Sequence, residues 1–67
     1  MEPSYRVDVD GRNGGWTVVI RTPGGEPAFT RACASEVEAR TFASTVRQHL
    51  EWLSPERFRE YYRLEAP

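Results

Sequence analysis

Tyr5-Arg6-Val7-Asp8-Val9-Asp10-Gly11-Arg12-Asn13-Gly14-Gly15-Trp16-Thr17-Val18-Val19-Ile20-Arg21 is the stretch whose reading decides the fold. From Tyr5 to Asp10 the residues alternate, with Tyr5, Val7 and Val9 on one face and Arg6, Asp8 and Asp10 on the other. That period of two is the pattern of a half-buried strand. Asp10-Gly11 through Asn13-Gly14-Gly15 is rich in residues that accept positive φ, and it leads into Trp16 to Arg21. The two runs therefore predict a hairpin in which Trp16, Val18 and Ile20 share the inner face with the first strand, while Thr17, Val19 and Arg21 point out.

Working outward, Thr22-Pro23-Gly24-Gly25-Glu26-Pro27 supplies a second turn, with Pro suited to the second and Gly to the third position of a type II turn. A third strand, Ala28 to Cys33, is expected to return antiparallel. Phe29 and Cys33 argue that one of its sides is buried, yet Arg31 shares that side, so either Arg31 lies past the sheet edge or a bulge shifts the register. Ser35 and Glu38 form a Ser-x-x-Glu capping box, which starts a helix. Ala39, Phe42, Ala43, Val46, Leu50 and Leu53 recur at three- and four-residue steps and make a stripe able to cover the sheet. Ser54-Pro55 is a second start signal, Ser as N-cap and Pro at the first helical position. Phe58, Tyr61 and Tyr62 are expected on one side of this short C-terminal helix, with Leu64 nearby. The fold class is thus α+β, a three-stranded antiparallel sheet followed by one main helix and a short C-terminal helix (β-β-β-α-α), within a single domain over residues 1–67.

A chain of 67 residues buries only about 60% of its unfolded surface, so its stability margin is thin. Ile20, Leu50, Leu53 and Leu64 are its only Ile and Leu residues. Small scaffolds of this kind often add a disulfide, a metal or a second subunit. Cys33 is the only cysteine and His49 the only histidine, which removes an internal disulfide and leaves a zinc site without its ligands. Self-association is the remaining device, and a homodimer whose contact includes the C-terminal aromatics Trp52, Tyr61 and Tyr62 is expected. Met1 to Tyr5 carry no basic leader pattern, and no apolar run reaches the ~18 residues of a membrane span, so a cytoplasmic protein is expected. Nine basic and ten acidic side chains nearly cancel, which gives no net attraction to nucleic acid.

For chemistry, Cys33 and His49 are the only conceivable nucleophile and base, and a packed thiol beside a half-exposed imidazole explains both without catalysis. Asp8 and Asp10 share a strand face but lack further metal ligands. The glycines between the first two strands join strand to strand rather than strand to helix, which is turn chemistry rather than a phosphate cradle. No catalytic, cofactor or metal residue is therefore assigned. The C-terminal aromatics carry more. On a helical wheel Trp52 lies away from the stripe that packs on the sheet. Either the C-terminal segment folds back so that Phe58, Tyr61 and Tyr62 close over it, or Trp52, Arg57, Arg59, Tyr61, Tyr62 and Arg63 form a partner-binding surface, since Trp, Tyr and Arg most often anchor protein contacts. The expected function is a small non-catalytic interaction module for a protein partner. The alternative is a DNA-binding accessory domain that uses Arg6, Arg21 and Arg31 on the exposed sheet face.

Two short resemblances accompany this reading. Gly15-Trp16-Thr17-Val18-Val19 resembles the Gly-Trp strand of the small MbtH-like proteins that assist nonribosomal peptide synthetases, over those five residues. The order Gly-Trp strand, turn, Phe-Thr strand and Ser-Glu-x-Glu-Ala helix over residues 15–39 is similar to the arm-binding domains of phage-type integrases, which implies DNA contact through basic residues on the sheet. Neither stretch assigns the chain to a family.

Overall fold

The computed structural model describes residues 4–12 and 14–64. Asn13 of the expected first turn, and residues 1–3 of the segment tested for a leader pattern, lie outside the described residues. Strands β1 (Arg6–Arg12), β2 (Gly15–Arg21) and β3 (Pro27–Cys33) precede helices α1 (Glu36–Trp52) and α2 (Pro55–Tyr62). The strands form one antiparallel sheet in chain order, β1-β2-β3. The fold is α+β of the expected order. Tyr5, Val7, Val18 and Ile20 face α1, whose Ala39, Ala43 and Val46 are fully buried against them. Val9, Trp16 and Phe29 pack at the margin of the same core.

Both helices start where their caps place them. Ser35 Oγ accepts from the Glu38 N–H at 3.2 Å, and Ser54 Oγ accepts from the Arg57 N–H at 3.2 Å. Each bond satisfies a first-turn donor that has no partner within its helix. Leu53 ends α1 in an extended conformation and Ser54 opens α2 in another, so the chain turns from one helix into the next with almost no loop.

Three details differ from the sequence reading. β1 runs on to Arg12, and Arg12 pairs with Gly15 across a two-residue connection. Gly11 is therefore a strand residue opposite Trp16, not part of the turn. A Cβ there would stand 2.8 Å from the indole, so Gly11 is the bare floor on which Trp16 lies. In the second turn the Gly25 N–H donates to the Thr22 carbonyl at 2.8 Å. Gly25 holds φ +92, while Gly24 is not among the positive-φ glycines. The turn is thus type I with glycine after it, because type II would require positive φ at Gly24.

The third detail is Arg31. Its partner is Val18, so it lies on the helix side of β3, and its guanidinium sits 4.7 Å from the Phe42 ring centre. A register shift does occur, between Ile20 and Arg21, but it precedes Phe29 and leaves Phe29, Arg31 and Cys33 on one face. The side chain lies over the aromatic ring and keeps its charged end in water, which an edge strand permits.

The turn geometry separates two neighbouring glycines. Gly25→Ala forces a Cβ into the left-handed region and should cost about 1 kcal/mol, whereas Gly24→Ala should be nearly neutral. Denaturation midpoints of the two variants check this, and a greater loss for Gly24→Ala would restore the type II turn.

Candidate functional site

α2 decides which aromatics remain at the surface. Phe58 and Tyr62 stand four residues apart and so occupy one stripe of the helix. Phe58 is 0% and Tyr62 is 9% exposed. Phe58 packs against Tyr5 with ring centres 5.4 Å apart, and Tyr62 meets the Phe29 ring edge-on at 5.8 Å. Leu64 is buried beside them. The C-terminal segment does fold back, but into the main core instead of over Trp52. With Tyr62 directed inward, the 100° step of the helix turns Tyr61 away from the core. Tyr61 is 64% exposed and Trp52 73%.

The six residues singled out from sequence separate into three groups. Tyr62 belongs to the core. Arg57 and Tyr61 line, with Leu53 and Glu60, a shallow hollow of about 260 Å³ next in sequence to Trp52. Arg59 and Arg63 lie on the other flank of α2, around a second hollow with Glu56, Glu60 and Leu64. The exposed Trp52 precedes Leu53 in the chain, and Leu53, Arg57, Glu60 and Tyr61 thus share one surface hollow that carries one charge of each sign. His49 stands behind it, its ring 4.7 Å from Tyr61 in an edge-on contact.

His49 also anchors this region. Its Nδ1 and the Tyr62 hydroxyl share a hydrogen bond of 2.7 Å, the hydroxyl donating when the imidazole carries its proton on Nε2. This bond ties the last turns of α1 and α2 together, and no spacing rule in the sequence announces it. Cys33 is free and half-buried just before the start of α1. His49 follows thirteen residues after Glu36, about 20 Å along the helix axis, so the two side chains do not form a pair. On the outer sheet face Asp8 accepts from Arg21 Nε at 3.0 Å, and Asp10 is 3.4 Å from Arg12 Nε. Those carboxylates are engaged by Arg. Among the described residues no group of three or more His, Cys, Asp or Glu is placed to hold a metal ion.

The three-Arg sheet face expected for a DNA-binding reading is not assembled. Arg31 is on the opposite face, and Arg21 is held by Asp8 and by the Gly25 carbonyl at 3.1 Å. Arg6 alone is left there of the three. No helix among the described residues is long and apolar enough to cross a membrane.

Arg63 closes α2 in the left-handed conformation, φ 54 and ψ 42. The Leu64 N–H donates to the Arg59 carbonyl at 2.8 Å and the Arg63 N–H to Glu60 at 3.2 Å, the two bonds of a Schellman ending. Glycine is the residue that ending favours, so Arg63→Gly should stabilise the fold by about 1 kcal/mol and raise Tm by roughly 4–8 °C. A lower Tm would show that the Arg63 side chain contributes more than its backbone costs.

Burial, with Tyr61 as a smaller influence, holds the Tyr62 hydroxyl above its usual pKa. The folded chain then keeps a proton that the unfolded chain releases, so this contribution to stability is fully present below about pH 10 and is lost as pH rises through the folded value. Tyr62→Phe should flatten the alkaline fall in stability, at a cost of about 1 kcal/mol at neutral pH from the lost hydrogen bond. An equally steep fall in urea titrations above that pH would contradict the assignment. No protein-family model matches the chain, and no curated protein or solved structure matches it either, so the two short resemblances have no family match behind them.

Proposed function

We propose that this chain is a non-catalytic interaction module that docks on another protein through Trp52, Leu53, Arg57 and Tyr61. The observation that carries the reading is Trp52, which is 73% exposed in a domain with little apolar material to spare. Burying a large aromatic side chain contributes about 1.5–3 kcal/mol. Folding does not draw on that contribution, because Trp52 is in water in the folded and the unfolded chain alike, so it is available to a partner that covers it. Trp, Tyr and Arg are also the side chains that most often dominate binding energy.

The hollow between Leu53 and Tyr61 suits an apolar side chain of the partner, with Arg57 and Glu60 lining it to fix orientation. Arg59 and Arg63 line a separate hollow with Glu56, Glu60 and Leu64 and are not included in this contact. With Phe58, Tyr62 and Leu64 supplied to the chain's own core, the aromatic surface is not needed to complete the fold, which favours a different protein as its occupant over a second copy. A cytoplasmic setting belongs to the same proposal and rests on the lone free cysteine.

The double variant Trp52→Ala, Tyr61→Ala tests the proposal. Both side chains are exposed, so circular dichroism and Tm should stay close to wild type. A protein captured by the wild type and then purified should bind the variant at least about tenfold more weakly. Equal binding of that protein to both forms, or recovery of nucleic acid alone, would overturn the reading.

A further inference from the structure

The two free edges of the sheet are not alike. Arg12 and Gly15 flank a two-residue connection, and in such a hairpin the flanking pair exchanges its backbone bonds. Alternation along the ladder then makes Asp10–Thr17, Asp8–Val19 and Arg6–Arg21 the bonded pairs. Val7, Val9 and Gly11 turn their N–H and C=O groups outward along the free edge of β1. Arg47 of α1 reaches this edge and donates from Nη2 to the Val7 carbonyl at 3.0 Å, which agrees with that orientation.

On the other side of β2 the same alternation directs Trp16, Val18 and Ile20 toward β3, where Cys33, Arg31 and Phe29 meet them. Thr30 and Ala32 therefore point their backbone groups away from the sheet. Both residues are exposed. Among the described residues no side chain bonds to this edge, and Arg31, the only charged residue in β3, is directed onto Phe42. Pro27 and the register shift disrupt the strand only at its start. An open, uncharged edge of this kind is a template for another strand.

We propose that a second copy of the chain pairs antiparallel along β3, with Thr30 opposite Thr30 on a two-fold axis. The strand's own sequence selects that occupant. With the axis at Thr30, Ala28 faces Ala32 and Phe29 faces Arg31, so the single charge of each strand meets an aromatic ring and not its own kind. The Arg31 guanidinium, already over Phe42, gains a second ring from the partner's Phe29. Thr30 opposite Thr30 is a favourable cross-strand pair on the outer face. A two-fold contact of this type is isologous and closes at two copies, giving one sheet of twice three strands. Trp52 and Tyr61 lie on other elements, so the dimer carries two copies of the aromatic surface and binds a two-site partner with the gain in avidity that linkage brings. The proposal does not rest on the docking function.

Light scattering of the full chain across micromolar to sub-millimolar concentration should give the mass of two copies. Thr30→Pro removes an N–H that has no partner within one chain, so the variant should keep its circular dichroism spectrum and halve in mass. Trp52→Ala should keep the two-copy mass. Hydrogen exchange supplies a readout without substitution: the Thr30 and Ala32 amides should be protected at high concentration and lose protection on dilution, while the Arg31 amide does not. A one-copy mass for the wild type throughout, or Thr30 and Ala32 amides that exchange freely in the dimer, would overturn the proposal. Loss of the dimer in Trp52→Ala would do the same and assign the contact to the aromatic surface.

Discussion

The insertion of Phe58 and Tyr62 between Tyr5 and Phe29 is the contact on which the rest of the molecule depends. A three-stranded sheet under one helix leaves the end of its core open, and this chain has few aliphatic residues to fill it. α2 closes that end with aromatic rings that run from Tyr5 through Phe58 and Tyr62 to Phe29 and Phe42. Helical geometry then leaves no freedom. Once residues 58 and 62 point inward, Tyr61 and Arg57 point away, and the hollow they line with Leu53 and Glu60 follows from that choice. The exposure of Tyr61 is in this sense a consequence of how the core is completed.

The sheet obeys a similar economy. The short connection at Arg12–Gly15 sets the register, the register sets which backbone groups face each free edge, and Arg47 of α1 occupies one outward group of β1, the Val7 carbonyl. Gly11 belongs to the same chain of causes, since only a residue without a Cβ lets Trp16 lie flat across β1. The outward groups of Thr30 and Ala32 on β3 receive no side-chain bond among the described residues, and Trp52 and Tyr61 stay exposed.

Much of this was legible in the sequence because the signals were periodic or local. The alternation from Tyr5 to Asp10 and from Trp16 to Arg21 gave the hairpin and its inner face, and Ser35, Glu38, Ser54 and Pro55 gave both helix starts. The failures share a cause, which is that a residue type can serve two purposes. Gly11 resembles a turn residue, although it is needed for its missing side chain rather than for positive φ. Gly24 and Gly25 are equivalent in composition, and only the backbone shows which of them is left-handed. Arg31 seemed excluded from the inner face, yet at an edge strand its long stem can cross an aromatic ring and still reach water. Among Phe58, Tyr61 and Tyr62, a two-turn helix offers two inward pairs, and nothing local favours 58 with 62 over 58 with 61. The tertiary contacts with Tyr5, Phe29 and His49 make that selection.

Proton NMR of the aromatic side chains tests the central claim most directly, because ring-to-ring contacts distinguish a core closed by α2 from a separate cluster around Trp52. Nuclear Overhauser effects are expected between Tyr5 and Phe58, whose ring centres are 5.4 Å apart, and between Phe29 and Tyr62 at 5.8 Å. The Trp52 indole should show none to Phe58 or Tyr62. Strong effects from the Trp52 indole to those two rings, with the Tyr5 and Phe29 contacts missing, would contradict the account.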